Sequence, residues 1–167
     1  MKTVIKAEVK RPTIESIKIK HVLDEDPDTS WMGEFSDDPE EGAIDHSERE
    51  GSSRSLKYFN PANPEYAEQQ YKRMIELEHG HFSFIGIIAE ANILIPQGDH
   101  FICQKLSSGG LWGIENDSAD SYINEEEDNQ LDELKEVLSS LNVNLKNFDK
   151  LAKDAKNVSD KFCYGGR

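Results

Sequence analysis

Phe82-Ser83-Phe84-Ile85-Gly86-Ile87-Ile88-Ala89-Glu90-Ala91-Asn92-Ile93-Leu94-Ile95 is the stretch that decides the fold. Phe82, Phe84 and Ile88 alternate with Ile85, Ile87, Ala89 and Ala91. A period of two with apolar residues on both faces predicts a strand covered on both sides. Gly86 inside it predicts a bulge or a close approach of another group to the backbone. Pro96-Gln97-Gly98 predicts a type I turn, after which the chain returns through Phe101 to Leu106. Ser107-Ser108-Gly109-Gly110 makes a second turn, and Leu111 to Ile114 a short third strand.

Upstream, Thr3 to Val9 and Ile14 to Leu23 both alternate. They are separated by Arg11-Pro12 and are expected to pair as a hairpin. Asn63, Pro64 and Gly80 punctuate a helix, with Ala67, Tyr71, Met74 and Ile75 as its buried stripe. A long helix is expected over about Ser118 to Leu141, buried through Ile123, Leu131, Leu134, Leu138 and Leu141. A shorter one runs from about Leu145 to Val158, with Leu145, Phe148, Ala152 and Ala155 on one side. Asp24 to Ala62 reads as mostly loop, with Trp31, Met32, Phe35 and Ile44 pinning it to the core. Strands followed by helices predict an α+β fold with a small, mainly antiparallel sheet. The expected organisation is one α+β domain over 1–141 and a basic helical extension over 142–167.

The chain has 167 residues, of which 36% are hydrophobic, enough for one genuine core. Its net charge of -14 is concentrated. Asp24 to Glu50 carries -11 and Glu115 to Glu136 carries -9, so the remainder is +6. Such acidity opposes direct nucleic-acid binding, because phosphates would be repelled. The longest apolar run falls far short of the ~20 residues of a membrane span. The first residues lack the apolar stretch of a signal peptide, and Cys103 and Cys163 form no disulfide framework. A cytoplasmic location is therefore expected.

Trp31-Met32-Gly33-Glu34-Phe35, Glu41-Gly42-Ala43-Ile44-Asp45, Tyr58-Phe59-Asn60-Pro61, Phe84-Ile85-Gly86-Ile87 and Ser108-Gly109-Gly110-Leu111-Trp112-Gly113-Ile114-Glu115 follow in that order. Over residues 14 to 141 this resembles a family of uncharacterised small acidic proteins of phages, plasmids and other mobile elements. The resemblance brings no catalytic residues. It implies a mobile-element setting, in which small acidic accessory proteins often block host defence.

Several constellations suggest chemistry. Asp24, Asp26 and Asp28 have the spacing of the first calcium ligands of an EF-hand. Thr29 stands where that loop needs glycine, however, and Phe35 where it needs glutamate, so the segment reads as a solvated acidic loop. His79, His81, His100 and Cys103 are zinc-type ligands, but the two pairs lie at opposite ends of the hairpin. Ser107 to Gly110 offers backbone N–H groups to an anion, as a nest does, although a tight turn is the plainer role. Trp112 reads as a core anchor and not as a base-stacking platform, because its sequence neighbours are acidic. Glu90, in an apolar strand, is a catalytic acid or base, a salt-bridged structural group, or a carboxylate at a bend facing solvent.

The acidic clusters are the most informative feature. Glu125, Asp128, Asp132 and Glu136 recur at helical spacing and share a face, at a cost to helix stability of a few tenths of a kcal/mol per pair. With Asp24, Glu25, Asp26, Asp28, Asp37, Asp38, Glu40 and Glu41, they form the expected partner-binding surface. The expected function is a non-enzymatic inhibitor that mimics nucleic acid toward a basic nucleic-acid-binding protein or nuclease complex. No catalytic residue, metal or cofactor is assigned. The alternatives are a metal-dependent enzyme using acidic residues with His46 or His79, or an accessory protein that assembles through its helices.

Overall fold

The computed structural model describes residues 10–47 and 56–158. The expected strand Thr3 to Val9, and its hairpin, lie outside these residues. The fold is α+β, as expected. The chain divides into two compact units.

In one unit, β1 (Thr13–Leu23) pairs antiparallel with β5 (Phe84–Gln97). Since β1 holds one edge of β5, the other is shared by β6 (His100–Ser107) and then β7 (Leu111–Glu115). Ile17 lies opposite Ala91, Ile19 opposite Ala89 and His21 opposite Ile87. Those residues, with Ile85 and Ile93, make one buried face of the sheet. Against the same core lie α2 (Asp120–Ser140) and α3 (Phe148–Asn157). α2 contributes Ile123, Leu131, Leu134 and Leu138, and α3 contributes Phe148, Ala152 and Ala155. The α3 residues thus share the hydrophobic cluster of the sheet and α2. Leu141 does not belong to the buried stripe. It follows the last turn of α2 and is 51% exposed.

The end of α2 shows why. Asn142 takes a left-handed conformation (φ 57°), and the Val143 N–H reaches back to the Leu138 carbonyl at 3.0 Å. This is the Schellman closure, with Val143 and Leu138 both buried as its usual apolar contact. Between β5 and β6 the reversal falls two residues later than Pro96 suggested. Gln97 pairs with His100, leaving Gly98 and Asp99 as the turn. Gly98 has φ +60° and Asp99 has no positive φ, the backbone pattern of a type II′ hairpin turn.

The expectation that β5 is covered on both sides holds only at its start. From Ile88 onward its even-numbered residues are half-buried, and this face carries Glu90, Asn92 and Leu94.

The other unit spans residues 24–84 and 115–117. Here Asp24 to Ala62 is mostly loop among its described residues, as expected, but it also carries a small sheet. Three short strands, β2 (Gly33–Ser36), β3 (Ile44–Asp45) and β4 (Tyr58–Pro61), form an antiparallel sheet in the order β2-β4-β3. The quoted strings from Trp31, Glu41 and Tyr58 are these strands. A 3-10 turn at Pro64–Tyr66 leads into α1 (Ala67–Glu78). The Asn63 side chain accepts from the Glu65 N–H at 3.0 Å, as its capping role requires. Gly80, at φ +69°, closes α1 by the same Schellman device, with the His81 N–H on the Glu76 carbonyl at 2.9 Å. The core is Met32, Ile44, Phe59, Tyr71, Met74, Phe82 and Phe84. Trp31 does not help to pin it, being 51% exposed.

Candidate functional site

The expected partner-binding carboxylates divide between the two units. Asp24, Glu25, Asp26, Asp28, Asp37, Asp38, Glu40 and Glu41 belong to the β2-β4-β3 unit, and all but the half-buried Asp24 are exposed. Their backbone is fixed locally. The Asp24 carboxylate accepts from the Asp26 N–H at 3.3 Å, and that of Asp28 from the Ser30 N–H at 2.9 Å. Ser30, through its side chain and then its backbone N–H, holds the Asp28 carboxyl below its ordinary value. The turn from Asp37 to Glu41 is held by Asn60, a buried residue of β4. Asn60 accepts from the Glu40 N–H at 3.1 Å and donates to the Asp38 carbonyl at 2.9 Å. One buried amide thus satisfies a donor and an acceptor of the acidic turn. Nothing in the sequence pattern singles out Asn60 for this, since its partners lie about 20 residues upstream.

Glu125, Asp128, Asp132 and Glu136 are all exposed on α2, so the shared face is real. It is partly neutralised from α3. Lys156 Nζ lies 2.5 Å from the Asp128 carboxylate and also donates to the Asn124 carbonyl. Asp132 lines an open groove with Lys135, Lys153 and Lys156. The basic segment after Leu141 therefore meets the acidic helix of its own chain.

The buried side of α2 holds polar groups that hydrophobic periodicity does not reveal. Glu127 is buried and shares a hydrogen bond of 2.9 Å with His21 Nε2 of β1. Gln130, also buried, accepts from the Gly110 N–H at 3.0 Å, and Glu133 accepts from the Gly109 N–H at 2.9 Å. The nest-like turn of Ser107 to Gly110 thus has anionic and amide acceptors from its own chain. Ser108 completes the joint. Its N–H donates to the Ala89 carbonyl at 2.9 Å, while its hydroxyl accepts from the Ala89 N–H at 3.0 Å. A side chain stands in for one rung of the ladder where β6 gives way to β7.

Trp112 lies over Gly86. A Cβ on Gly86 would sit 2.5–2.7 Å from Cε3, Cδ2 and Cζ3 of the indole. This is the close approach that glycine in the strand predicts. The ring is nevertheless 47% exposed and is no core anchor.

Glu90 has the salt-bridged role. Its carboxylate lies 2.7 Å from Lys20 Nζ and 3.5 Å from Lys105 Nζ. Burial pushes its pKa up, but hydrogen bonds and charge from Lys20, then Lys105, outweigh this and leave it below its ordinary value. In the other unit, Arg73 makes a paired contact with Glu115 (3.2 and 2.7 Å) and another with Asp117 (3.0 and 2.6 Å). It also bonds Glu76 at 3.1 Å and lies 3.4 Å above the Phe82 ring centroid. Hydrogen bonding to Asp117, opposed by burial and reinforced by Glu115 and Glu76, raises the guanidinium pKa further.

His46 is buried, with Nδ1 2.7 Å from the Tyr71 hydroxyl, inside an aromatic cluster with Phe35. Among the described residues no group of three or more His, Cys, Asp and Glu side chains is placed to hold a metal ion. No helix among them is long and apolar enough to cross a membrane. The site and fold together define an α+β protein with ordered acidic surfaces. Comparison with protein-family models, curated proteins and solved structures gives no match.

Proposed function

We propose that the protein is a non-enzymatic, protein-binding inhibitor carried by a mobile element and acting in the cytoplasm. It presents carboxylates to a basic nucleic-acid-binding protein of host defence, in place of phosphates. The observation that carries this reading is the Asn60 clamp on the turn from Asp37 to Glu41. Exposed carboxylates on a fixed backbone bind a cationic groove with less ordering cost than those on a mobile loop. Electrostatic steering then makes association fast and salt-sensitive. The α2 face is the weaker half of the surface, because Lys156 already occupies Asp128.

The test is a tagged pull-down from nuclease-treated bacterial lysate at low and high salt, with mass-spectrometric identification. Wild type is expected to recover a nucleic-acid-binding complex at low salt and to release it at high salt. The quadruple variant D37N/D38N/E40Q/E41Q is expected to lose it. Equal recovery by that variant, or no such complex from wild type, overturns the proposal.

A further inference from the structure

The helix-free face of the β1–β5–β6 sheet has a chemistry opposite to that of the chain as a whole. Antiparallel partners share a face, so register alone places its residues. Val22 lies opposite Gly86, Lys20 opposite Ile88, Lys18 opposite Glu90, and Ser16 opposite Asn92. On the other edge Lys105 lies opposite Asn92, Cys103 opposite Leu94, and Phe101 opposite Pro96. Ser16, Lys18, Lys20, Glu90, Asn92 and Lys105 line one small polar depression. Three lysines thus surround one carboxylate, Glu90, which binds two of them. Glu15 stands beside Cys103, further along.

Each end of this strip carries an exposed aromatic ring. Trp112 covers Gly86 with three atoms of its six-membered ring about equally close, so the ring lies face-on to the strand. One face is against the backbone, and the residue as a whole is 47% exposed. Phe101, at the far end, is 64% exposed. Gly86 to Pro96 spans roughly 33 Å of strand at ~3.3 Å per residue.

We propose that this sheet face binds single-stranded nucleic acid, with Trp112 and Phe101 as stacking surfaces and Lys18, Lys20 and Lys105 as phosphate contacts. Charge complementarity selects a polyanion. The exposed rings select one with unpaired bases, since a duplex keeps its bases stacked inside and an acidic peptide has none. The acidity of the chain does not forbid this. Fields from distant carboxylates fall off over about 8 Å at physiological salt, whereas the lysines contact phosphate directly. The proposal departs from the expectation of no direct nucleic-acid contact, and it does not depend on the inhibitor reading.

The test uses the purified full chain and fluorescence anisotropy of an end-labelled oligothymidylate of about 15 nucleotides. The comparison probes are a duplex of the same length and unlabelled polyglutamate as competitor. Wild type is expected to bind the single strand saturably and more tightly than the duplex, with a salt slope no steeper than about -2 for three lysines. K18Q/K105Q is expected to flatten that slope by about 1.4. F101A and W112A are expected to weaken binding roughly five-fold or more, with W112F restoring much of the loss. Lys18, Lys105 and Phe101 are exposed, so their variants test the idea without disturbing the core. No saturable binding at about 100 µM protein overturns it. So does a slope unchanged in K18Q/K105Q, or equal competition by polyglutamate, which would assign the face to an acidic protein segment.

Discussion

His21 Nε2 of β1 and Glu127 Oε1 of α2 lie 2.9 Å apart, and both side chains are buried. The bond joins the central sheet to the long helix across a core built mainly of Ile, Leu and Ala. Removing one partner leaves the other's polar atom buried, which costs about 1–3 kcal/mol. E127L and H21L are therefore each expected to lower the urea midpoint clearly. The double variant H21L/E127L, which removes both polar groups at similar volume, should recover part of the loss. If the two single losses simply add in the double variant, as judged by a double-mutant cycle, the pair is not coupled.

Gly86 is fixed by the ring above it. In G86A the new methyl carbon would lie 2.5 Å from Trp112 Cε3, inside any real carbon–carbon contact. Overpacking of this kind costs about 1–3 kcal/mol. Trp112 is half-exposed, so it can yield by swinging outward, which puts the cost at the low end. G86A is expected to lower thermal stability and to shift tryptophan emission to the red. In W112L, with no indole to displace, the same glycine substitution should be nearly neutral. An equal loss in both backgrounds would mean that Gly86 is needed for its backbone alone.

Glu90 gives a pH signature whose sign is set by its lysines. Its pKa is lower in the folded chain than the ordinary value of 4.5. A depressed carboxylate stabilises the fold at pH values above the unfolded pKa. The contribution fades as the pH falls below about 4.5 and through the folded value. E90Q should therefore be less stable than wild type at pH 7, with a gap that narrows as the pH falls below about 4.5, by thermal melts at fixed ionic strength. A gap that stayed constant as the pH fell would point to packing instead of charge.

Much of this architecture is legible in the sequence, for physical reasons. β1 and β5 are long enough for a period of two to be counted, and α1 carries its own start and stop residues. Helix α3 shows itself through Phe148, Ala152 and Ala155. The β2-β4-β3 sheet is not legible, because strands of two to four residues hold no countable period. They lie in acidic, turn-rich sequence, and Gly33 finds its partner only at Pro61. The candidate surfaces follow the same division. That Glu125, Asp128, Asp132 and Glu136 share a face follows from helical spacing. That Lys156 neutralises Asp128, or that Asn60 grips Asp38 and Glu40, depends on contacts made by folding. The setting of Trp112 is hidden for the same reason: Glu115 and Asp117 are its neighbours along the chain, while Gly86 is its neighbour in the sheet.

Arg73 carries the last prediction. Its guanidinium is shared by Glu115, Asp117 and Glu76 and stacks on Phe82. One cation thus faces three carboxylates, and two of the contacts are paired, which a lysine cannot reproduce. R73A leaves three like charges close together without their shared partner. The site is partly exposed, so solvent screens the loss, and about 1–2 kcal/mol is expected and not the full cost of a buried pair. Salt separates the causes. Repulsion among the orphaned carboxylates weakens as ionic strength rises. R73A should therefore regain stability from 0.05 to 0.5 M sodium chloride more than wild type does, and E115Q added to R73A should recover part of the loss at low salt. R73K should fall between wild type and R73A. If R73A shows the same salt response as wild type, the stacking of Arg73 on Phe82, and not its charge, is what stabilises this part of the chain.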